Sequence, residues 1–188
     1  MALKAGDKAP DFTTKDQDGN EIKLSSLKGK KVVLYFYPKD MTEGCTFEAC
    51  NLRDNYKFLQ KAGYEVLGIS TDDEKSHKKF IAKEKLPFTL LSDPDKKVHD
   101  LYNTWIEKSM YGRKFMGTAR ITFLIDENGI IEEIIEKVNT KNHTAQILKT
   151  DIAPAARKVA VKKPAAKKTP KKASPKKAVK KKSTKKKQ

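Results

Sequence analysis

Apolar and polar positions along this chain alternate between two periods, and the changes of period mark out the elements. Residues 32–37, Val-Val-Leu-Tyr-Phe-Tyr, form an unbroken β-branched and aromatic run. Such a run fits a central strand covered on both faces, and Pro38 ends it because proline has no N–H for the ladder. Cys45, Ala49, Leu52, Tyr56 and Leu59 then recur at spacings of 4, 3, 4 and 3. That stripe predicts one long helix, stopped by Gly63. Tyr64–Ser70 reads as the next strand, and Thr71-Asp72-Asp73-Glu74 supplies a cap and an acidic first turn for a helix to about Lys85. Phe88 to Leu91 predicts a short strand, and Pro94 suits the first turn of a helix through Tyr102. Ile121 to Ile125 and Ile130 to Glu136 predict a hairpin about Asp126-Glu127-Asn128-Gly129, followed by a closing helix over 142–152. Asp18-Gly19 separates two extended stretches and predicts a small N-terminal hairpin. The order implies an α/β fold, a mixed sheet with helices on both faces.

Charge changes this picture at one end only. The 188 residues carry a formal net charge of +17, yet sixteen of the 41 Lys and Arg lie in 154–188, where there is no Asp or Glu. Residues 1–153 therefore hold 25 basic against 24 acidic side chains, a net of +1. We divide the chain there, into one globular domain over 1–153 and a tail over 154–188. The tail has almost nothing to bury and is expected to be disordered. No apolar stretch approaches the roughly 18 residues of a membrane span, and residues 1–7 lack the hydrophobic region of a signal peptide. A soluble, cytoplasmic protein is expected. Two cysteines are too few for a disulfide scaffold, and in a reducing compartment a close pair is more often catalytic or metal-binding.

Cys45 falls in the first turn after a buried strand, at the carboxyl edge of the sheet where α/β proteins build their sites. Unpaired N–H groups and the positive end of the dipole favour a thiolate there, and such positions bring thiols from about 8.5 down to somewhere in 3.5 to 7.5. Asp40 and Glu43 oppose this, so a cation is required; Arg120, at the start of the strand 121–125, is the candidate because a strand beside 32–37 would deliver it to the same edge. The plainer alternative is that Cys45 is a small buried hydrophobe on the helical stripe. Five residues on an ideal helix put Cys45 and Cys50 about 8.7 Å apart at Cα. A disulfide needs less than about 7 Å, so as oxidation partners they require the first turns to unwind. Cys-x-x-Cys is absent, which disfavours thioredoxin-type exchange, and two cysteines without a well-placed histidine make a poor zinc site.

The segment 37–50, Tyr-Pro-Lys-Asp-Met-Thr-Glu-Gly-Cys-Thr-Phe-Glu-Ala-Cys, resembles the active-site motif of peroxiredoxins, and its Cys-x4-Cys pair resembles the peroxiredoxin Q subgroup, also called bacterioferritin comigratory protein. Residues 6–12, 107–117 and 120–126 match the same family, so the resemblance covers about residues 3–152. It implies a thioredoxin-like fold and a thiol peroxidase that reduces hydrogen peroxide and organic hydroperoxides. Cys45 would be the peroxidatic cysteine and Cys50 the resolving one, joined as a redox-active disulfide that a thioredoxin-like donor reduces. Thr42 would hydrogen-bond the peroxide and the thiolate, Arg120 would hold the thiolate and polarise the peroxide, and Pro38 would shield the sulfur. No metal or organic cofactor is implied, and a monomer is expected. Two positions depart from the pattern: Glu43 stands where proline is frequent and Ile121 where serine is common.

Plainer readings cover the remaining candidates. His77, His99 and His143 share no spacing and are taken as surface or capping residues. The stretch Trp105 to Met116 could line a peroxide pocket, though ordinary packing is the commoner role. Glu132, Glu133 and Glu136 fit a solvated strand face, and Glu48, one turn from Cys45, fits a residue orienting the active-site loop. In the tail, Thr169-Pro170-Lys171-Lys172 and Ser174-Pro175-Lys176-Lys177 resemble histone H1 tails, which implies binding to nucleic acid through phosphates and a nucleoid or, in a eukaryote, nuclear location. A solubilising tail is the alternative, as is a nucleic-acid-binding protein whose peroxiredoxin domain is catalytically silent.

Overall fold

The molecule is known from a computed structural model, which describes residues 2–110 and 112–149. Its centre is β3 (Lys31–Phe36), the apolar run expected from the sequence, with Val33, Leu34 and Phe36 at 0% exposure. β3 pairs in parallel with β4 (Tyr64–Ser70) and antiparallel with β8 (Ile121–Ile125). β4 pairs in parallel with β5 (Thr89–Ser92), β5 meets the N-terminal hairpin β1 (Thr13–Asp16) and β2 (Glu21–Lys23), and β9 (Ile131–Ile135) closes the far edge. The sheet runs β2-β1-β5-β4-β3-β8-β9. It is mixed, as expected.

Alternate residues of β3 feed two cores. Val32, Leu34 and Phe36 pack with Leu24 of a 3-10 turn (Leu24–Leu27), with Val98 of α4 (Lys97–Leu101) and with Tyr102 at its C-terminal end. Val33, Tyr35 and Tyr37 pack with Cys45, Ala49 and Leu52 of α1 (Glu43–Asp54), Leu59 of α2 (Tyr56–Lys61), Phe80 of α3 (Glu74–Glu84) and Ile147 of α5 (His143–Leu148). Burial on both sides is why β3 reads as continuous rather than alternating. Gly68 in β4 makes room for this packing: a Cβ there would stand 2.7 Å from both Leu90 Cδ2 and the Tyr35 ring.

Several boundaries differ from expectation, each for a local reason. The single helix through Leu59 is two, because Asn55 leaves the helix at φ −109°, ψ 11° and its side-chain amide donates 2.9 Å to the Asn51 carbonyl, competing with the backbone. Pro94 precedes the helix rather than opening it: the chain first turns at Asp93, whose carbonyl accepts from Lys96 N at 3.0 Å. α3 is capped as expected, with Asp73 accepting from Ser76 N at 2.8 Å. The closing helix begins at His143 and gives way to left-handed Lys149; the remainder of its expected span, and the whole tail expected to be disordered, lie outside the described residues.

An antiparallel ribbon, β6 (Trp105–Met110) and β7 (Arg113–Thr118), was not anticipated. Its apolar side chains suggested packing, yet Ile106 is 40%, Phe115 43% and Met116 50% exposed. No helix among the described residues is long and apolar enough to cross a membrane.

Candidate active site

The chain leaves the carboxyl end of β3 at Tyr37, passes half-buried Pro38 and enters α1 after Thr42. Cys45 is the third residue of that helix and is 2% exposed. β8 runs antiparallel to β3 with Phe36 opposite Ile121, so the residue before Ile121 arrives at this same edge. That residue is Arg120, and its Nη2 donates to Cys45 Sγ at 3.2 Å. A Cβ on Gly44 would stand 3.3 Å from that nitrogen, so glycine before the cysteine leaves the guanidinium room. The sequence argument that a neighbouring strand would bring Arg120 to the sulfur is matched by this geometry.

Arg120 is itself held. Its Nη1 donates to Glu48 Oε2, from a side chain that is fully buried one turn along α1. Burial pushes the Glu48 carboxyl up to about 7 against the pull of Arg120. Glu48 Oε1 has no hydrogen-bond partner among the described residues and lies 3.8 Å from His143 Nε2. His143 in turn meets Thr122 Oγ1 at 2.9 Å and Gln146 Oε1 at 3.3 Å. The glutamine oxygen can only accept, which assigns the His143 proton to Nδ1 and leaves Nε2 to accept from Thr122. Burial, with the charge of Arg120, brings His143 down to about 4, so it is neutral near pH 7.

A second buried network anchors the loop between Pro38 and Thr42. Asp40 accepts from Tyr37 Oη at 2.7 Å and faces His77 Nδ1 at 2.9 Å, while His77 Nε2 lies 3.2 Å from the Leu91 carbonyl. Burial alone would raise the Asp40 carboxyl, but the hydrogen bond and electrostatic attraction of His77 outweigh it and hold the group below the usual range. Asp40 N also donates 2.8 Å to Asp72, which accepts from Ser70 Oγ at 2.8 Å. Between these anchors Met41 adopts φ +57°, a left-handed conformation that costs an L residue about 1–2 kcal/mol. The Asp40 carboxylate was expected to oppose a thiolate; it is instead paired with His77 and Tyr37.

Thr42 is exposed and its hydroxyl donates to the Lys39 carbonyl at 3.0 Å. Among the described hydrogen bonds none joins it to Cys45. Cys50 lies two turns along α1, 5% exposed, and both cysteines are free thiols. Its Sγ donates to Glu84 Oε2 at 3.6 Å. Burial, then the neighbouring carboxylates Glu84 and Asp54 working against Arg53, push the Cys50 thiol up to about 11.

All three histidines, expected as surface or capping residues, are instead at 0% exposure. His99 completes the correction: Asp93 Oδ2 stands 2.6 Å from its Nδ1 and Thr118 Oγ1 3.0 Å from its Nε2, beneath the base of the ribbon. Each imidazole sits inside because carboxylate, hydroxyl or carbonyl partners satisfy both ring nitrogens, and at least one partner of each comes from a distant segment. Lys108, on the ribbon, was also missed. It is half-buried, its Nζ donates to the Thr118 carbonyl, and burial followed by the charge of Arg120 lowers its pKa. Glu132 and Glu133 pair with Lys31 and Lys149 at 3.0 Å each, in keeping with a solvated strand face. Among the described residues no group of three or more His, Cys, Asp and Glu side chains is arranged to hold a metal ion. A surface pocket of about 200 Å³ bounded by Leu24, Val32 and Ile125 opens at the amino end of β3, the opposite end from Cys45.

Comparison with known proteins gives a consistent result. Residues 5–134 match the AhpC/TSA family. The chain is 50% identical over 146 residues to peroxiredoxin Bcp of Escherichia coli K12, covering 78% of this chain and 94% of that protein. It is 43% identical over 150 residues to peroxiredoxin Bcp of Bacillus subtilis, covering 80% and 96%. Among solved structures, a cysteine-to-serine mutant of PrxQ from Xylella fastidiosa superposes with a TM-score of 0.74 at 30% identity, covering 79% of this chain and 95% of that one. The thioredoxin-like architecture expected from the motif is therefore the fold of this chain.

Proposed function

The chain belongs to the AhpC/TSA family, with the peroxiredoxins of the Bcp and PrxQ kind, and from that premise we propose that this peroxidase works through Cys45 as attacking thiolate and Cys50 as resolving thiol. The observation that carries the reading is the Arg120 Nη2 at 3.2 Å from Cys45 Sγ, in the first turn of α1. Guanidinium and first-turn N–H groups place positive charge where a thiolate attacks and where charge develops on the leaving oxygen. Cys45 Sγ attacks the O–O bond of a hydroperoxide, giving a sulfenic acid and releasing water or an alcohol once the leaving oxygen gains a proton. Thr42 sits at the entrance to α1, and turning its hydroxyl away from the Lys39 carbonyl would direct the donor at the peroxide. Pro38 shields the sulfur from the strand side.

Resolution then joins Cys45 to Cys50, with loss of water. Both lie in the continuous helix Glu43–Asp54, so the first turn must unwind to bring the sulfurs together. A thioredoxin-like donor regenerates the dithiol, and the protein acts as a cytoplasmic monomer. The basic tail tethers the enzyme to nucleic acid through phosphates and so keeps peroxide reduction near DNA. Equimolar peroxide tests the central reading: it should remove two free thiols from the wild type, none from Cys45→Ser, and leave Cys50→Ser oxidised after one turnover. Full steady-state turnover by Cys45→Ser would refute it.

A further inference from the structure

We infer that Glu84 is a further catalytic residue, the base that takes the proton of Cys50 as this sulfur closes the disulfide with Cys45. The inference rests on the reading of Cys50 as the resolving thiol. Cys50 Sγ, at the end of the second turn of α1, donates to Glu84 Oε2, the last residue of α3, at 3.6 Å across 34 residues of sequence. The carboxylate is mostly enclosed, at 14% side-chain exposure, and is held from both sides. Its Oε1 faces Lys83 Nζ at 3.8 Å, which leaves Oε2 for the sulfur. Arg53 donates to the Glu84 backbone carbonyl and, through Nε, to Asp54 at 2.9 Å; it attracts the Glu84 carboxylate through space, but these hydrogen bonds go to atoms other than Oε2. Among the described residues, Arg53 and Asp54 from α1 and Glu84 from α3 are the charged groups that act on this thiol, with Lys83 beside Glu84.

The chemistry needs such a base. A thiol pushed up to about 11 is ionised at pH 7 in roughly one molecule in ten thousand. Waiting for free thiolate would leave the sulfenic acid open to a second peroxide. With the carboxylate already on the S–H, the proton passes to Glu84 Oε2 as Cys50 Sγ attacks Cys45 Sγ. The S–S bond forms, the S–O bond breaks, and the departing hydroxyl takes the proton from Glu84 as water. Cys50 supplies the two electrons that reduce the sulfenic sulfur, and Glu84 ends as the carboxylate it was. The geometry also divides the labour of movement: Cys45, in the first turn behind Gly44, frays and comes in, while Cys50 stays on Glu84.

The test follows each sulfur separately in the full chain, by alkylation and mass spectrometry after a peroxide pulse. Glu84→Gln keeps size and hydrogen bonding and removes the base. Expected are unchanged oxidation of Cys45, disulfide formation slowed at least tenfold at pH 7, and a rate in the variant that climbs about tenfold per pH unit from 7 to 9 as solvent hydroxide takes over. Glu84→Asp, which keeps a carboxylate, should recover part of the loss. Disulfide formation at the wild-type rate in Glu84→Gln, an equal slowing at every pH, or an equal slowing of Cys45 oxidation would overturn the assignment to Glu84 alone. Absence of a Cys45–Cys50 disulfide in the wild type would overturn the resolving role of Cys50 and this inference together.

Discussion

Glu48 Oε1 lies 3.8 Å from His143 Nε2 with both side chains fully buried, too far for a hydrogen bond. Burial moves the two in opposite directions, Glu48 from 4.5 to about 7 and His143 from 6.5 to about 4. Between about 4.5 and 7 the folded chain holds a Glu48 proton that the unfolded chain has released, so this group stabilises less as pH rises. Between about 4 and 6.5 the unfolded chain holds a His143 proton that the folded chain lacks, so this group stabilises more as pH rises. The two slopes largely offset each other. Replacing His143 by Gln should unmask the Glu48 slope, and the unfolding free energy measured in urea should fall from pH 4.5 to pH 7 by on the order of 3 kcal/mol. A variant as flat as the wild type across that window would remove the argument.

Arg120 spans Glu48 and Cys45 with separate nitrogens. Lysine carries its charge on one nitrogen at the end of a flexible stem and lacks the rigid fork that holds two separate donors in place. Arg120→Lys is therefore expected to slow Cys45 oxidation by peroxide at least tenfold in stopped-flow measurements while the fold is retained. An unchanged second-order rate would assign Arg120 to packing.

The loop before α1 depends on the buried pair Asp40 and His77, at 1% and 0% side-chain exposure. His77→Ala removes from Asp40 the partner that does most to hold its carboxylate charged, leaving the hydroxyls of Tyr37 and Ser76. Removing one member of a buried pair should cost about 3 kcal/mol or more in urea unfolding. A loss under about 1 kcal/mol would mean that water replaces the imidazole.

Gly68→Ala tests the packing behind the site. Its new methyl would meet Leu90 Cδ2 and the Tyr35 ring at 2.7 Å, and Tyr35 stacks on Tyr37 at 5.4 Å. Overpacking of a central strand typically costs about 1–3 kcal/mol. A thermal midpoint equal to that of the wild type would show that Tyr35 can retreat.

Tail binding has a distinct signature. Sixteen cations without aromatic side chains should give DNA retention that is weakly selective and falls steeply between about 50 and 200 mM salt. Deleting 154–188 should abolish retention at low salt and leave peroxide turnover intact. Retention that survives the deletion counts against a tether.

The legible parts of this molecule are those that local chemistry dictates. The apolar run 32–37, the Asp73 cap, the Asn128-Gly129 turn and a cysteine in the first turn of a helix each follow from a few neighbouring residues. Arg120 was also within reach, because an antiparallel neighbour of β3 must start where β3 ends. The ribbon β6–β7 was not: its apolar residues lie on a surface, where hydrophobicity carries no register. Nor were the three buried histidines. An imidazole is inside or outside according to its partners, and Asp40, Thr122 and Thr118 stand 37, 21 and 19 residues from the histidines they contact.

By itself the order of residues determined most of the elements and the family motif, and singled out Cys45 as the candidate nucleophile, since period, capping and turn chemistry act over a few bonds. Only the tertiary structure decided which carboxylates face which cations and sulfurs. Desolvation and Coulomb energy depend on distance through space, and it is folding that brings Glu48 to Arg120 and Glu84 to Cys50.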